Sequence, residues 1–103
     1  MKLLIEFDID ADIIEVPKFV IDQRQSLKSR FWKWISDKSI KHKYWVKLGK
    51  DCGSCYYGLQ YRADAFVEWL NKKYIKNDSE KAYVVEEHVN IDDFHHTLPS
   101  IFF

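Results

Sequence analysis

The chain has 103 residues, of which 47% are hydrophobic, and its 16 Lys and Arg balance 16 Asp and Glu. That length accommodates one globular domain, 1–103, with enough apolar surface for a core and no room for a second. Three Gly, two Pro and two Cys exclude a low-complexity chain and a disulfide framework. The N-terminal apolar run is broken at once by Glu6 and Asp8, which excludes a signal-peptide core or a membrane span and leads to the expectation of a soluble, cytoplasmic protein with no membrane partner.

In chain order, Leu3, Ile5, Phe7 and Ile9 alternate with Leu4, Glu6, Asp8 and Asp10, which predicts a first strand over 2–9. Val16-Pro17 marks a boundary. From 18 to 37, Val20, Leu27, Phe31, Trp34 and Ile35 recur at three- and four-residue spacings, predicting an amphipathic helix on which Trp32 lies off the apolar stripe beside Lys28. Tyr44, Val46 and Leu48 alternate with Lys43, Trp45 and Lys47, predicting a second strand with one apolar and one cationic-aromatic side. A turn over 49–53 leads into a third strand through Cys55, Tyr57 and Leu59. A second helix is predicted over 62–75 from Ala63, Phe66, Val67, Leu70 and Tyr74, with Trp69 on its flank, and a fourth strand over 82–88. The tail, 90–103, ends in apolar residues that predict docking on the body, in whole or in part.

This order, β-α-β-β-α-β, predicts an α+β domain of ferredoxin-like arrangement, with two helices on one face of a four-stranded antiparallel sheet. In the sheet order usual for that arrangement, the open face would run from Glu86 through Glu6, Asp8 and Tyr56 to Lys43, Trp45 and Lys47.

Charge is segregated along the chain. Residues 1–17 hold one base and five acids, residues 18–50 ten bases and two acids, and residues 51–103 five bases and nine acids. The stretch RFWKWISDKSIKHKYWVKLGK, 30–50, sets three tryptophans and a tyrosine among seven lysines and arginines with a single acid, Asp37. Such segregation gives a neutral molecule a local field that steers charged partners. Trp32, Trp45 and Trp69 all fall outside the ideal apolar stripes, and large rings dominate binding hot spots because they bury much area at low entropy cost. Trp32, Trp45, Lys43, Lys47, Lys28, Tyr56 and Trp69 are therefore the candidate partner-binding residues. The same rings and lysines on an open sheet face suit single-stranded RNA or DNA, the alternative reading.

Motifs for chemistry are sparse. Cys52-Gly53-Ser54-Cys55 could supply half of a zinc site, but only His42, His88, His95 and His96 remain and their spacing is unfamiliar, so Cys52 and Cys55 read as ordinary cysteines and no metal is assigned. Asp8, Asp10 and Asp12 begin like a calcium loop, yet Ile13 and Phe19 stand where Gly and Glu are required. Asp8 and Asp10 as metal ligands of a nuclease form a second alternative. His95-His96 with Asp92 and Asp93 forms no supported triad or ligand set. With no phosphate loop, nucleophile elbow or paired-carboxylate site, the chain reads as a non-enzyme without a cofactor.

The segment YWVKLGKDCGSCYYGLQYRADAFVEWLNKKYIKNDSEKAYVVEE, 44–87, resembles small proteins encoded by bacteriophages and mobile elements. The resemblance implies an anti-defence inhibitor of the anti-CRISPR type, acting in the host bacterial cytoplasm by stoichiometric protein–protein binding to a bacterial protein or ribonucleoprotein complex, and it carries no residue assignments. Nothing in the sequence determines an oligomeric state.

Overall fold

The computed structural model describes residues 1–8, 10–51, 54–90 and 97–103, and for residues 47–57 main-chain pairing alone. Cys52, Asp92, Asp93, His95 and His96, and the side chains of Lys47, Cys55 and Tyr56, lie outside the described part. The elements in chain order are β1 (Lys2–Glu6), β2 (Ala11–Glu15), α1 (Lys18–Asp22), α2 (Arg24–Ile35), β3 (Trp45–Asp51), β4 (Ser54–Leu59), α3 (Ala63–Lys73), a 3-10 turn (Asp78–Glu80), β5 (Tyr83–Val89) and β6 (Ser100–Phe102). No helix among the described residues is long and apolar enough to cross a membrane.

The α+β class holds, and the ferredoxin-like arrangement does not. The main sheet is four-stranded and mixed, in the order β5-β2-β1-β6, with β6 parallel to β1. The predicted first strand is the opening arm of a hairpin: β1 and β2 pair antiparallel from Lys2↔Glu15 to Glu6↔Ala11, and the Phe7 N–H donates to the Asp10 carbonyl at 2.8 Å across the turn. Alternation cannot reveal β2, because Ala11, Asp12, Ile13 and Ile14 are all buried and both faces of the strand are covered. With β2 on one side and β6 on the other, β1 has no free edge, so β3 and β4 pair only with each other as a separate two-stranded ribbon. A register shift between Lys47 and Gly49 leaves Leu48 as an extra residue, and the alternation expected through that strand is interrupted there.

The predicted helix over 18–37 is two helices. Gln23, with φ −110° and ψ 19°, breaks it, and the Arg24 guanidinium turns back to donate to the Ile21 carbonyl at 2.7 Å. The apolar stripe survives the break because Val20, Leu27, Phe31 and Ile35 are all buried.

Leu3 and Ile5 of β1, Ile14 of β2 and Ile101 of β6 share one core with the buried faces of α1, α2 and α3. The described helices thus lie on one side of the sheet, as the sequence predicts. Leu4, Ala11, Ile13 and Val89 form a second apolar cluster, with Leu98 packed on it. Leu4, at the sheet centre, is 2% exposed, whereas Tyr83 of β5 and Phe102 of β6, on the edge strands, are 58% and 52% exposed. Phe31 centres the larger core, its ring 5.3 Å from Phe66, 5.6 Å from Trp69 and 5.5 Å from Phe103. The predicted docking of the tail is observed for Ser100–Phe103: β6 completes the sheet, and the Phe103 N–H donates to the Glu6 carbonyl at 2.9 Å.

Phe31 and Trp32 are adjacent in sequence but differ in burial. Phe31→Ala should destabilise the protein by about 3–5 kcal/mol through cavity formation, and Trp32→Ala by less than about 1 kcal/mol. Equilibrium urea unfolding of the two variants checks the contrast.

Candidate interaction surface

Ionic partners divide the described surface into neutralised and unneutralised regions. The neutralised region centres on Asp12, whose side chain is 1% exposed. One of its oxygens accepts from Arg62 Nη2 at 2.6 Å and from the His88 main-chain N–H at 3.1 Å. The other accepts from Arg62 Nε and from the Ala63 N–H, both at 3.2 Å. A carboxylate at the start of α3 also satisfies an otherwise orphaned helix N–H and meets the positive end of the helix dipole. Asp10 extends the network, accepting from Arg62 Nη2 at 2.9 Å and pairing with His88 Nδ1 at 2.8 Å. These two contacts, that to His88 first, hold the Asp10 carboxyl below its ordinary value, while the bonds to Asp12 and then Asp10 raise the Arg62 guanidinium and keep it charged. The guanidinium lies over the Phe7 ring at 4.6 Å.

His88 has φ 57°, in the left-handed region that non-glycine residues seldom occupy, and the Asp12 carboxylate holds its N–H there. Of the two carboxylates in the nuclease reading, Asp10 already accepts on both oxygens, from Arg62 and His88. Asp8 is exposed and takes no part. Among the described residues, no group of three His, Cys, Asp or Glu side chains is placed to hold a metal ion.

Several predicted binding residues are committed to the chain itself. Trp69 is 4% exposed, with its ring 6.0 Å from Phe66 and 5.1 Å from Tyr74, so it is a core residue and not a surface anchor. The correction follows from α3 burying a broad face, between the sheet and Phe31 of α2. Trp45 is half-buried: its ring stacks parallel to His42 at 5.6 Å, and its Nε1 donates to the Ile40 carbonyl at 3.1 Å. His42 in turn lies 4.9 Å from Trp34 and bonds through Nε2 to the Ile35 carbonyl at 2.9 Å, so the three rings clamp the end of α2 to the start of β3. Lys43 is paired with Glu68 at 3.0 Å, and the Tyr44 hydroxyl donates to the same carboxylate at 2.6 Å. Those two donors lower Glu68, Tyr44 first, while burial and then Glu68 push the Tyr44 hydroxyl well up.

Trp32 differs from the other two candidates. It is 53% exposed on α2 and, with Lys28, Phe31, Tyr61 and Phe103, walls a groove of about 320 Å³. Trp32 and Lys28, which the sequence places side by side, therefore share a concave site. Tyr61 and Phe103 were not among the predicted site residues. Their only signals were an aromatic next to the predicted start of a helix and the apolar end of the tail, and neither indicates that the two rings meet.

Segment RQSLKSRFWKWI, which is α2, contains four bases and no acid. Among the described residues none of Arg24, Lys28, Arg30 and Lys33 forms an ion pair, whereas Asp10, Asp12, Glu15 and Glu68 all do. The positive charge left without a carboxylate thus includes the helix that carries the groove.

Removing Asp12 leaves a buried guanidinium contact and two main-chain donors unpaired. Asp12→Ala should destabilise the protein by about 3–5 kcal/mol, and adding Arg62→Met should cost clearly less than the two separate losses combined. Urea unfolding of the two single variants and the double variant measures the coupling. The depressed carboxyl of Asp10 stabilises the fold above its ordinary value of 3.8, and that stabilisation is lost as pH falls below it. Asp10→Asn should therefore flatten the acid limb of the stability profile below about pH 4, measured as unfolding midpoint against pH.

Comparison with protein-family models, curated proteins and solved structures finds no match to the chain, so its function has to be read from this surface.

Proposed function

We propose that the protein is a non-catalytic binding protein that acts by stoichiometric contact with a macromolecular partner, and that α2 is its contact element. The observation that carries this reading is Trp32, more than half exposed on a helix of four unneutralised bases and forming one wall of an apolar groove. A large ring at the rim of a groove is the usual form of a binding hot spot, and surrounding charges set the association rate and the choice of partner. In its most specific form the proposal is the one implied by the resemblance of residues 44–87 to phage-encoded proteins: an inhibitor of a bacterial defence complex, with a CRISPR effector as the target class. Of the residues expected to bind, Lys28 and Trp32 carry the proposal, while Trp45 supports the end of α2 through His42 and Lys43 pairs with Glu68 of α3.

The test is affinity capture from bacterial lysate, with and without nuclease treatment, using the native chain and Trp32→Ala. A nuclease-resistant partner at fixed stoichiometry is expected. Trp32→Ala should weaken its capture by about 2 kcal/mol, or roughly thirtyfold, with the thermal unfolding midpoint unchanged. Recovery of nucleic acid alone, or equal capture by the variant, would count against the proposal.

A further inference from the structure

The groove's chemistry restricts what can fill it. A volume of about 320 Å³ lies at the bottom of the range for ligand sites, about 300–1,000 Å³, and suits a single large side chain better than a cofactor. Its walls are the rings of Phe31, Trp32, Tyr61 and Phe103, and the only polar groups among its lining side chains are the Tyr61 hydroxyl, the Trp32 indole N–H and the Lys28 ammonium. Burial raises the Tyr61 hydroxyl above its ordinary value, consistent with a poorly hydrated wall. A nucleobase entering such a site would bury several edge donors and acceptors with too few partners, whereas an aliphatic or aromatic side chain would bury none.

The charge beside the groove restricts what flanks that side chain. Arg24, Lys28 and Trp32 recur every four residues and so line one side of α2. Arg24 uses Nε and Nη1 on the carbonyls of Ser100 and Ile21, and among the described residues its Nη2 has no partner. Lys28 likewise has none, and neither residue meets a carboxylate. Two cations in a row leading to an apolar groove are complementary to carboxylates next to an apolar anchor.

We infer that the groove receives one bulky apolar side chain from an acidic segment of a partner protein, whose neighbouring carboxylates sit on Lys28 and Arg24. This rests on the binding reading above and adds the chemical class of the partner segment.

The test is a selection on the immobilised full chain from a library of random peptides of about twelve residues, followed by fluorescence anisotropy on the enriched sequences. Enriched peptides should carry a Leu, Met, Phe or Trp with Asp or Glu within two positions. Trp32→Ala and Lys28→Glu should each weaken them by about tenfold or more. A fresh selection on Lys28→Glu, with its fold checked by circular dichroism and urea unfolding, should replace acidic flanks with Lys or Arg. Neutral or basic flanks on the native chain would overturn the acidic class, and Trp32-dependent capture from lysate would then leave the broader binding reading standing. Failure to enrich any Trp32-dependent peptide would overturn this inference, as would tighter Trp32-dependent binding of oligo-dT or oligo-rU. Concentration-dependent self-association abolished by Trp32→Ala would overturn it too, since the occupant would then be a second copy of this chain. If Trp32→Ala also leaves lysate capture unchanged, the binding reading through α2 falls with it.

Discussion

A carboxylate removed from water has to be paired where it lies, and the pairing of Asp12 ties together three elements remote in sequence. It sits on β2, receives the guanidinium and the first helical N–H at the start of α3, and holds the main chain of β5 at His88. Each of its oxygens accepts two hydrogen bonds, so the cost of burying the charge is offset by donors that themselves needed partners. An Arg is required there because only its planar fork meets two carboxylates while its face covers the Phe7 ring. The left-handed φ of His88 is one consequence, a local strain sustained by the surrounding network.

Around this polar node the aromatic residues sort by the element on which they fall. Phe31 gathers Phe66, Trp69 and Phe103 on the helix side of the sheet, in edge-on and stacked contacts favoured by ring quadrupoles. Trp34, His42 and Trp45 form a second set that fixes the turn between α2 and β3. Asn71 fastens the far end, its side chain exchanging two hydrogen bonds with the main chain of Ala82, just before β5. Trp32 belongs to neither set. With the core closed beneath it by Phe31, it stands 53% exposed on α2.

Charge follows the same division. Asp10, Asp12 and Glu15 of the first seventeen residues and Glu68 of α3 are drawn into pairs with Arg62, the N-terminus and Lys43, so part of the segregation along the sequence is neutralised by folding. Among the described residues the four bases of α2 meet no carboxylate: Arg24 donates to two carbonyls and Arg30 to the Tyr74 hydroxyl. A wholly cationic helix repels itself slightly and gains little internal stability from charge.

The elements whose signal is local were legible in the sequence alone. The stripes of α2 and α3, the β3–β4 hairpin and the position of Trp32 beside Lys28 all follow from side-chain periodicity, which near-neighbour geometry sets without reference to the rest of the chain. What required tertiary structure was every feature that joins distant segments. Strand β2 has no alternation because both its faces are buried, and the order β5-β2-β1-β6 depends on β6, from the far end of the chain, pairing with β1. The burial of Trp69 and the exposure of Trp32 could not be separated by periodicity, since both lie on stripe flanks and differ only in what packs beside them. Asp12 looks like its neighbours Asp8 and Asp10 until Arg62, fifty residues away, arrives to pair with it. The groove exists only because Tyr61 and Phe103 come to rest against α2, and no pattern along a chain encodes the meeting of three separated segments.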